Sequence, residues 1–221
     1  MKILFLGTGA ADFPSVKCEG FRRNASILID DTILIDPGLW VIDAIEEYKV
    51  DTSKIKYVLV THYHSDHFNK DTFDYLISRG AKLLEIECGN EIEVDGYKIS
   101  ALRGNHTVPV CHYILEKDGK RMFYGLDGAW LLYEEIKAIW TRGVDLAVFD
   151  ATVGFIDGDY RVFEHNNLNM VLEMKKSINT AIKKYVISHM AYTLHTDHKT
   201  LEGEMNKHNV ITAYDGLVIE F

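Results

Sequence analysis

The stretch Tyr57-Val-Leu-Val-Thr-His-Tyr-His-Ser-Asp-His-Phe68 decides the fold. Its apolar run reads as a buried strand over Lys54 to Val60, and the strand delivers His62, His64, Asp66 and His67 at its end. Neutral imidazole and carboxylate are ligands for Zn, Mn or Fe, and four of them within six residues are too dense for core histidines. In extended backbone His62 and His64 point the same way, because side chains alternate with period two. The turn that must follow brings Asp66 and His67 round from another side. Two neighbouring metals sharing one loop fit that arrangement.

On the N-terminal side, Lys2 to Leu6 reads as an opening strand, closed by Gly7-Thr8-Gly9, a plain turn in preference to a phosphate cradle. Ser26 to Asp30 and Thr32 to Ile35 form a hairpin about Asp30-Asp31. The second arm ends at Asp36-Pro37-Gly38, where Asp36 can orient a ligand histidine or simply form the turn. Leu39, Ile42 and Ile45 recur at helical spacing. After the cluster come a helix over Lys70 to Arg79 stopped by Gly80, a strand over Lys82 to Ile86, and a hairpin of Glu91 to Val94 with Tyr97 to Leu102 about Asp95-Gly96. A second hairpin pairs Cys111 to Glu116 with Arg121 to Tyr124.

Helices over Leu131 to Ile139, Leu168 to Ile178 and Thr196 to Lys207 then alternate with strands over Asp145 to Phe149 and Lys184 to Ile187. Val210 to Ala213 and Leu217 to Phe221 read as a closing strand pair. Hairpins first and strand-helix alternation later predict an α+β fold, a four-layer αββα sandwich with its functional loops at one edge.

His62, His106, Asp127, Asp150 and His189 each stand just past the end of an apolar strand. A binuclear site needs about seven protein ligands, with a carboxylate bridging metals some 3.5 to 4 Å apart. His62, His64 and His106 are expected on one metal, Asp66, His67 and His189 on the other, and Asp127 between them. His165 precedes a helix that Asn166 or Asn167 can cap, which places it where a phosphate is favoured. His195 and His198 flank Asp197, and Thr196-Asp197 is good capping chemistry, so a solvated helix start is expected there rather than a metal clip.

The 221 residues hold no Pro, Gly or Ser-rich linker, so a single domain over 1–221 is expected. An apolar fraction of 47% and a charged fraction of 26% suit a soluble protein. No apolar run approaches the roughly 20 residues that cross a membrane. Met-Lys-Ile-Leu-Phe-Leu-Gly passes into Thr8-Gly9-Ala10-Ala11-Asp12 too soon for a signal peptide, so the expected compartment is cytoplasmic. Cys18, Cys88 and Cys111 lie far apart and are odd in number, and are expected as reduced thiols. A net charge of -9 disfavours extended nucleic acid but not a small anion, because two metals would add about four positive charges where it binds.

The motif His62-Tyr-His64-Ser-Asp66-His67, with His106, Asp127 and His189 in the later motif positions, resembles the HxHxDH signature of metallo-β-lactamase-fold hydrolases across essentially the whole chain. A narrower likeness runs through Asn105-His106, Phe149-Asp150-Ala151-Thr152, His165-Asn166-Asn167-Leu168-Asn169, Ile187-Ser188-His189-Met190 and Tyr214-Asp215-Gly216. These stretches resemble the phosphoribosyl 1,2-cyclic phosphate phosphodiesterase group of the carbon-phosphorus lyase pathway. The resemblance implies two divalent metal ions, a small anionic phosphodiester substrate, a homodimer, and a role for His165 on the substrate's phosphate or leaving oxygen. A cysteine-rich insertion that holds a further zinc in that group is reduced here to Cys18, so no third zinc is expected.

The implied reaction is metal-dependent phosphodiester hydrolysis, in which Asp66 orients the attacking water and His165 acts as general acid. A tRNA 3′-end endonuclease and a lactone or thioester hydrolase could use the same metals, and a metal-binding sensor could retain the fold without activity. Stretches 12 to 24, 129 to 143 and 152 to 164 are expected to select the substrate.

Overall fold

A computed structural model describes residues 1–13 and 16–221, so Pro14 and Ser15, inside the expected substrate-selecting stretch 12 to 24, lie outside the described residues. Contacts divide the chain into two compact units, residues 1–85 with 213–221 and residues 86–212. The secondary structure is mixed, with thirteen strands in two sheets and five α-helices among the described residues.

The first unit contains β1 (Lys2–Gly7), β2 (Ser26–Ile29), β3 (Ile33–Ile35), α1 (Val41–Glu47), β4 (Tyr57–Leu59), α2 (Lys70–Ser78), β5 (Lys82–Leu83) and the last strand, β13 (Val218–Glu220). They form a six-stranded sheet in the order β13-β1-β2-β3-β4-β5. The β2–β3 hairpin turns on Asp30 and Asp31 at φ 47 and 55, the left-handed pair that a tight hairpin turn requires and Asp tolerates. Val41, Ala44 and Ile45 of α1 and Leu76 of α2 pack against Leu34 and Val58, covering one face of the sheet. The Asn69 side chain caps α2 by accepting from the Thr72 N–H at 3.0 Å. Strand β4 is shorter than the expected Lys54 to Val60, because Thr52–Lys54 close a 3₁₀ turn under the Asp51 cap.

The second unit contains β6 (Glu91–Val94), β7 (Tyr97–Arg103), β8 (Cys111–Lys117), β9 (Lys120–Gly125), α3 (Tyr133–Arg142), β10 (Val144–Asp150), α4 (Leu168–Ile178), β11 (Ile182–Ser188), α5 (His198–Asn206) and β12 (Val210–Thr212). The sheet order is β12-β11-β10-β9-β8-β7-β6, antiparallel from β6 to β9 and parallel from β9 to β12. Asp95-Gly96 and Asp118-Gly119, with all four φ positive, make its hairpin turns. Strand β10 is buried almost throughout, as a parallel strand is, and Ile139, Val171, Met174, Leu201 and Met205 pack with Phe149 and Ile187 in one core. No helix among the described residues is long and apolar enough to cross a membrane.

Two expectations are overturned. The closing segments do not pair with each other: Val210–Thr212 adds in parallel to β11, whereas Val218–Glu220 pairs antiparallel with β1, Ile3 opposite Ile219. Adjacency in sequence suggested a hairpin, but the two segments extend the edges of two different sheets. Cys88 and Cys111 are not reduced thiols but a disulfide, with Cα atoms 5.7 Å apart. Folding of the segment before β6 back to the first residue of β8 makes that pair, which linear spacing cannot reveal. Cys18 is free and exposed.

Candidate metal centre

In the first unit the chain leaves β4 and turns immediately, the N–H groups of His67 and Phe68 both donating to the His64 carbonyl at 3.0 and 2.9 Å. The turn gathers its imidazoles: the His62 ring lies 4.5 Å, centroid to centroid, from both His64, which it meets edge to face, and His67, to which it is tilted. His67 is fully buried, and its Nδ1–H donates to Asp36 at 2.8 Å while its Nε2 lies 3.4 Å from the Asp66 carboxylate. Asp36 is equally buried and also accepts from the Thr61 N–H at 2.8 Å and the Thr61 hydroxyl at 3.0 Å. The Thr61 oxygen in turn lies 3.1 Å from His62 Nδ1. Asp36 therefore orients the His67 ring, with its own backbone in the left-handed region at φ 63. Gly38 lets this work sterically, since a Cβ there would sit 2.5 Å from the Asp66 carbonyl oxygen.

In the second unit four loops at strand ends converge on Asp127. Its Oδ2 lies 3.6 Å from His106 Nε2 and its Oδ1 lies 2.8 Å from His189 Nε2, so the two carboxylate oxygens face two different imidazoles. The other nitrogen of each ring is fixed. His106 Nδ1–H donates to the Glu164 carbonyl at 3.1 Å, and His189 Nδ1 sits 2.7 Å from the Thr152 hydroxyl. Asp150 ties the group together from beneath, fully buried at the end of β10. It accepts from the Asp127 N–H at 3.2 Å, the Thr152 N–H and hydroxyl at 3.0 Å, the Asn166 N–H at 3.0 Å and His165 Nδ1–H at 3.0 Å. Burial pushes the Asp150 pKa up, yet His165 and His189 beside it hold the carboxyl well below the usual range.

His165 does not simply precede a capped helix. Asn167 caps α4 by accepting from the Met170 N–H at 2.8 Å, and Asn166 instead accepts from the Trp130 N–H at 2.8 Å. His165 turns inward, its ring 5.2 Å from that of His106 and stacked 5.6 Å from that of His189. Burial lowers its pKa, but the charge and hydrogen bond of Asp150, with Asp127 adding to them, leave it raised. The contributions of Thr61, Thr152 and the Glu164 carbonyl were not read from the sequence, because hydroxyls and carbonyls carry no motif of their own.

Two other expectations find their places. Asp197 caps α5 through the Thr200 N–H at 3.1 Å, His198 lies beside Glu202, and His195 Nε2 sits 2.7 Å from the Ala151 carbonyl; among the described residues none of the three belongs to the clusters of candidate metal-binding side chains. Gly7-Thr8-Gly9 is not the expected turn: Gly7 ends β1, Gly9 bridges Asn24 in parallel, and the Thr8 and Gly9 N–H groups both donate to the Arg23 carbonyl at 3.0 and 2.7 Å, while the Thr8 hydroxyl donates to Asp215 at 2.7 Å and accepts from Arg22 at 2.9 Å.

The donor set fits divalent cations. Asp127, Asp150, His165 and His189 bring ligand atoms within 4.8 Å of one another. Nδ1 partners on His67, His106 and His189 leave their Nε2 atoms to coordinate, the arrangement that fixes tautomer and ring orientation in metal sites. Asp36, Asp127 and His189 all have left-handed backbones, at φ 63, 55 and 59, strain of about 1 to 3 kcal/mol each that the surrounding hydrogen bonds hold in place.

Residues 1–70, about a third of the chain and including His62 to His67, match the family model described as Anti-Pycsar protein Apyc1. No curated protein matches the chain by sequence. Among solved structures, the metallo-β-lactamase fold protein YhfI from Bacillus subtilis superposes at TM-score 0.80 and 17% identity, covering 100% of this chain and 98% of its own. A diphosphatase from the PhnP family gives 0.76 and 17%, covering 100% and 97%. The short form of human tRNase Z gives 0.72 and 16%, covering 100% and 99%. The α+β architecture expected from hairpins followed by strand-helix alternation is present, and the chain has the metallo-β-lactamase fold, which it shares with metal-dependent hydrolases.

Proposed function

We propose that the chain is a metal-dependent hydrolase of small phosphodiesters, with cyclic ones of the phosphoribosyl cyclic phosphate kind as leading substrates. In this reading His62, His64 and His106 hold one divalent cation, Asp66, His67 and His189 hold a second, and Asp127 bridges them. Zn, Mn and Fe all suit such a donor set. Two such ions, when bound, lower the pKa of a coordinated water and offset charge on the phosphoryl group. Asp66 orients the attacking water. His165 donates its Nε2 proton to the departing alkoxide as the P–O ester bond breaks and the new P–O bond forms.

The observation that carries the reading is Asp127 facing His106 with one oxygen and His189 with the other, beside a His165 whose Nδ1–H is held by a buried Asp150. The diphosphatase of the same fold supports a phosphorus centre, and the net charge of -9 favours a small anion over a long polyanion. A single hydrolase domain working in the cytoplasm as a homodimer, away from membranes, belongs to the same proposal.

The fold shared with tRNase Z supports a second reading, cleavage of precursor tRNA at its 3′ end. Elemental analysis of the purified protein, coupled to assays on cyclic phosphodiesters, linear phosphodiesters, precursor tRNA and a lactone, separates these. Turnover of cyclic or linear phosphodiesters, abolished by chelation and restored by Zn or Mn, is expected. Cleavage of precursor tRNA alone would replace the first reading with the second, and protein that stays inactive on all of them after loading with Zn or Mn would remove both.

A further inference from the structure

Beneath two of the candidate ligand loops lies an ion pair that the reaction above does not use. His112 on β8 is 2% exposed and Glu135 on α3 is fully buried. His112 Nδ1 lies 2.5 Å from Glu135 Oε1, and the second Glu135 oxygen accepts from the Leu132 N–H at 2.7 Å. The other ring nitrogen, Nε2, donates to the Leu126 carbonyl at 2.9 Å. Two glycines make room for the ring. A Cβ on Gly104 or Gly128 would lie 2.6 or 2.7 Å from its Cε1. Gly104 opens the loop that carries His106, and Gly128 directly follows Asp127.

Filling space does not account for this pair. Burying charged partners costs several kcal/mol of desolvation per ion, and apolar side chains of similar volume commonly replace such pairs with no loss of stability. What an apolar residue cannot do is orient a peptide. The Leu126 carbonyl and the Asp127 N–H belong to one peptide unit, and that unit is clamped at both ends. His112 donates to its oxygen, and Asp150 accepts from its N–H at 3.2 Å. The clamp sets the plane from which Asp127 starts, at the strained φ of 55. The same clamped segment is tied to the His106 loop, since the Asn105 side chain donates to the Ala129 carbonyl at 2.6 Å and the Ala129 N–H donates to the Asn105 carbonyl at 2.9 Å.

We propose that His112, held by Glu135, is a positioning residue for the metal-binding carboxylate of Asp127, acting through the Leu126–Asp127 peptide. The inference rests on the reading of Asp127 as a ligand. Its test uses two substitutions that each keep one of the two hydrogen bonds. In His112→Gln the amide nitrogen reaches about as far as Nε2 and keeps the bond to Leu126, whereas in His112→Asn it reaches only as far as Nδ1 and keeps the bond to Glu135. Metal affinity is read by competition with a chromophoric chelator, and the stability of the metal-free protein by thermal unfolding.

Both variants lower Tm, but only His112→Asn weakens metal binding, by roughly 10- to 100-fold, the usual cost of losing an orienting partner behind a ligand. His112→Gln stays within a few-fold of wild type. Equal affinities in the two folded variants overturn the proposal, whatever their Tm values. If either variant does not fold, Glu135→Ala decides: it frees the ring, so an unchanged metal affinity overturns the proposal and a loss of roughly ten-fold supports it. Wild-type protein that binds no metal at all would instead count against the reading of Asp127 as a ligand.

Discussion

The Asp150 carboxylate accepts the Nδ1–H of His165 at 3.0 Å, so a buried acid fixes which nitrogen of the candidate general acid can face a substrate. Replacing His165 by Ala removes the proton donor and leaves the proposed metal ligands untouched. Metal content by elemental analysis is expected to match wild type, while turnover of an unactivated phosphodiester falls by roughly 10² to 10⁴. Turnover at the wild-type rate would remove His165 from the mechanism.

The same pair sets a pH dependence. The pKa of His165 is raised, against the effect of burial, by the charge and hydrogen bond of Asp150. A raised pKa keeps the imidazole protonated as pH rises through the ordinary histidine range, so activity that needs this proton is lost only above that range. Asp150→Asn removes the opposing charge, and the basic limb of the rate profile is expected to move to lower pH. A limb that stays in place in the variant would show that another group governs it.

The Asp36 carboxylate accepts from the Thr61 N–H, the Thr61 hydroxyl and His67 Nδ1–H, which makes it a probe of the first unit. Asp36→Asn weakens the hold on the His67 ring. Metal affinity, measured by chelator competition, is expected to drop by roughly 10- to 100-fold.

Gly38 to Ala places a Cβ 2.5 Å from the Asp66 carbonyl oxygen, a backbone atom that cannot rotate away. Overpacking of this kind costs about 1 to 3 kcal/mol, read as a lowered midpoint in urea for the metal-free protein. Gly80 to Ala is the contrast in space but not in backbone, with no atom within 4 Å and a φ of 99.

Thiol titration of unfolded protein is expected to find one reactive thiol, Cys18, before reduction and three afterwards. The Cys88–Cys111 bond closes a loop of sequence separation 23, so reduction should cost roughly 3 kcal/mol of stability. Three thiols without reductant would show that the bond does not form in solution.

Local signals carried far in this chain. The helix at Leu168–Ile178 follows its apolar spacing, and the hairpins turn at Asp30-Asp31, Asp95-Gly96 and Asp118-Gly119 because only residues tolerant of positive φ suit those positions. Strand-end placement of His106, Asp127, Asp150 and His189 was legible for the same reason, since apolar runs end where polar side chains begin. The Cys88–Cys111 bond and the separate fates of the last two strands were not legible. Neither depends on sequence neighbours.

The sequence by itself determined the donor types and their spacing at His62, His64, Asp66 and His67, and with them the fold, because dense ligands behind a buried strand have few other uses. Only the tertiary structure decided the tautomers and orientations: Asp36 behind His67, Asp150 behind His165, and His112 behind the Leu126–Asp127 peptide. Those contacts join residues 14 to 31 positions apart. A hydrogen bond depends on distance and angle in space, and the sequence holds that information only through the folding of everything between.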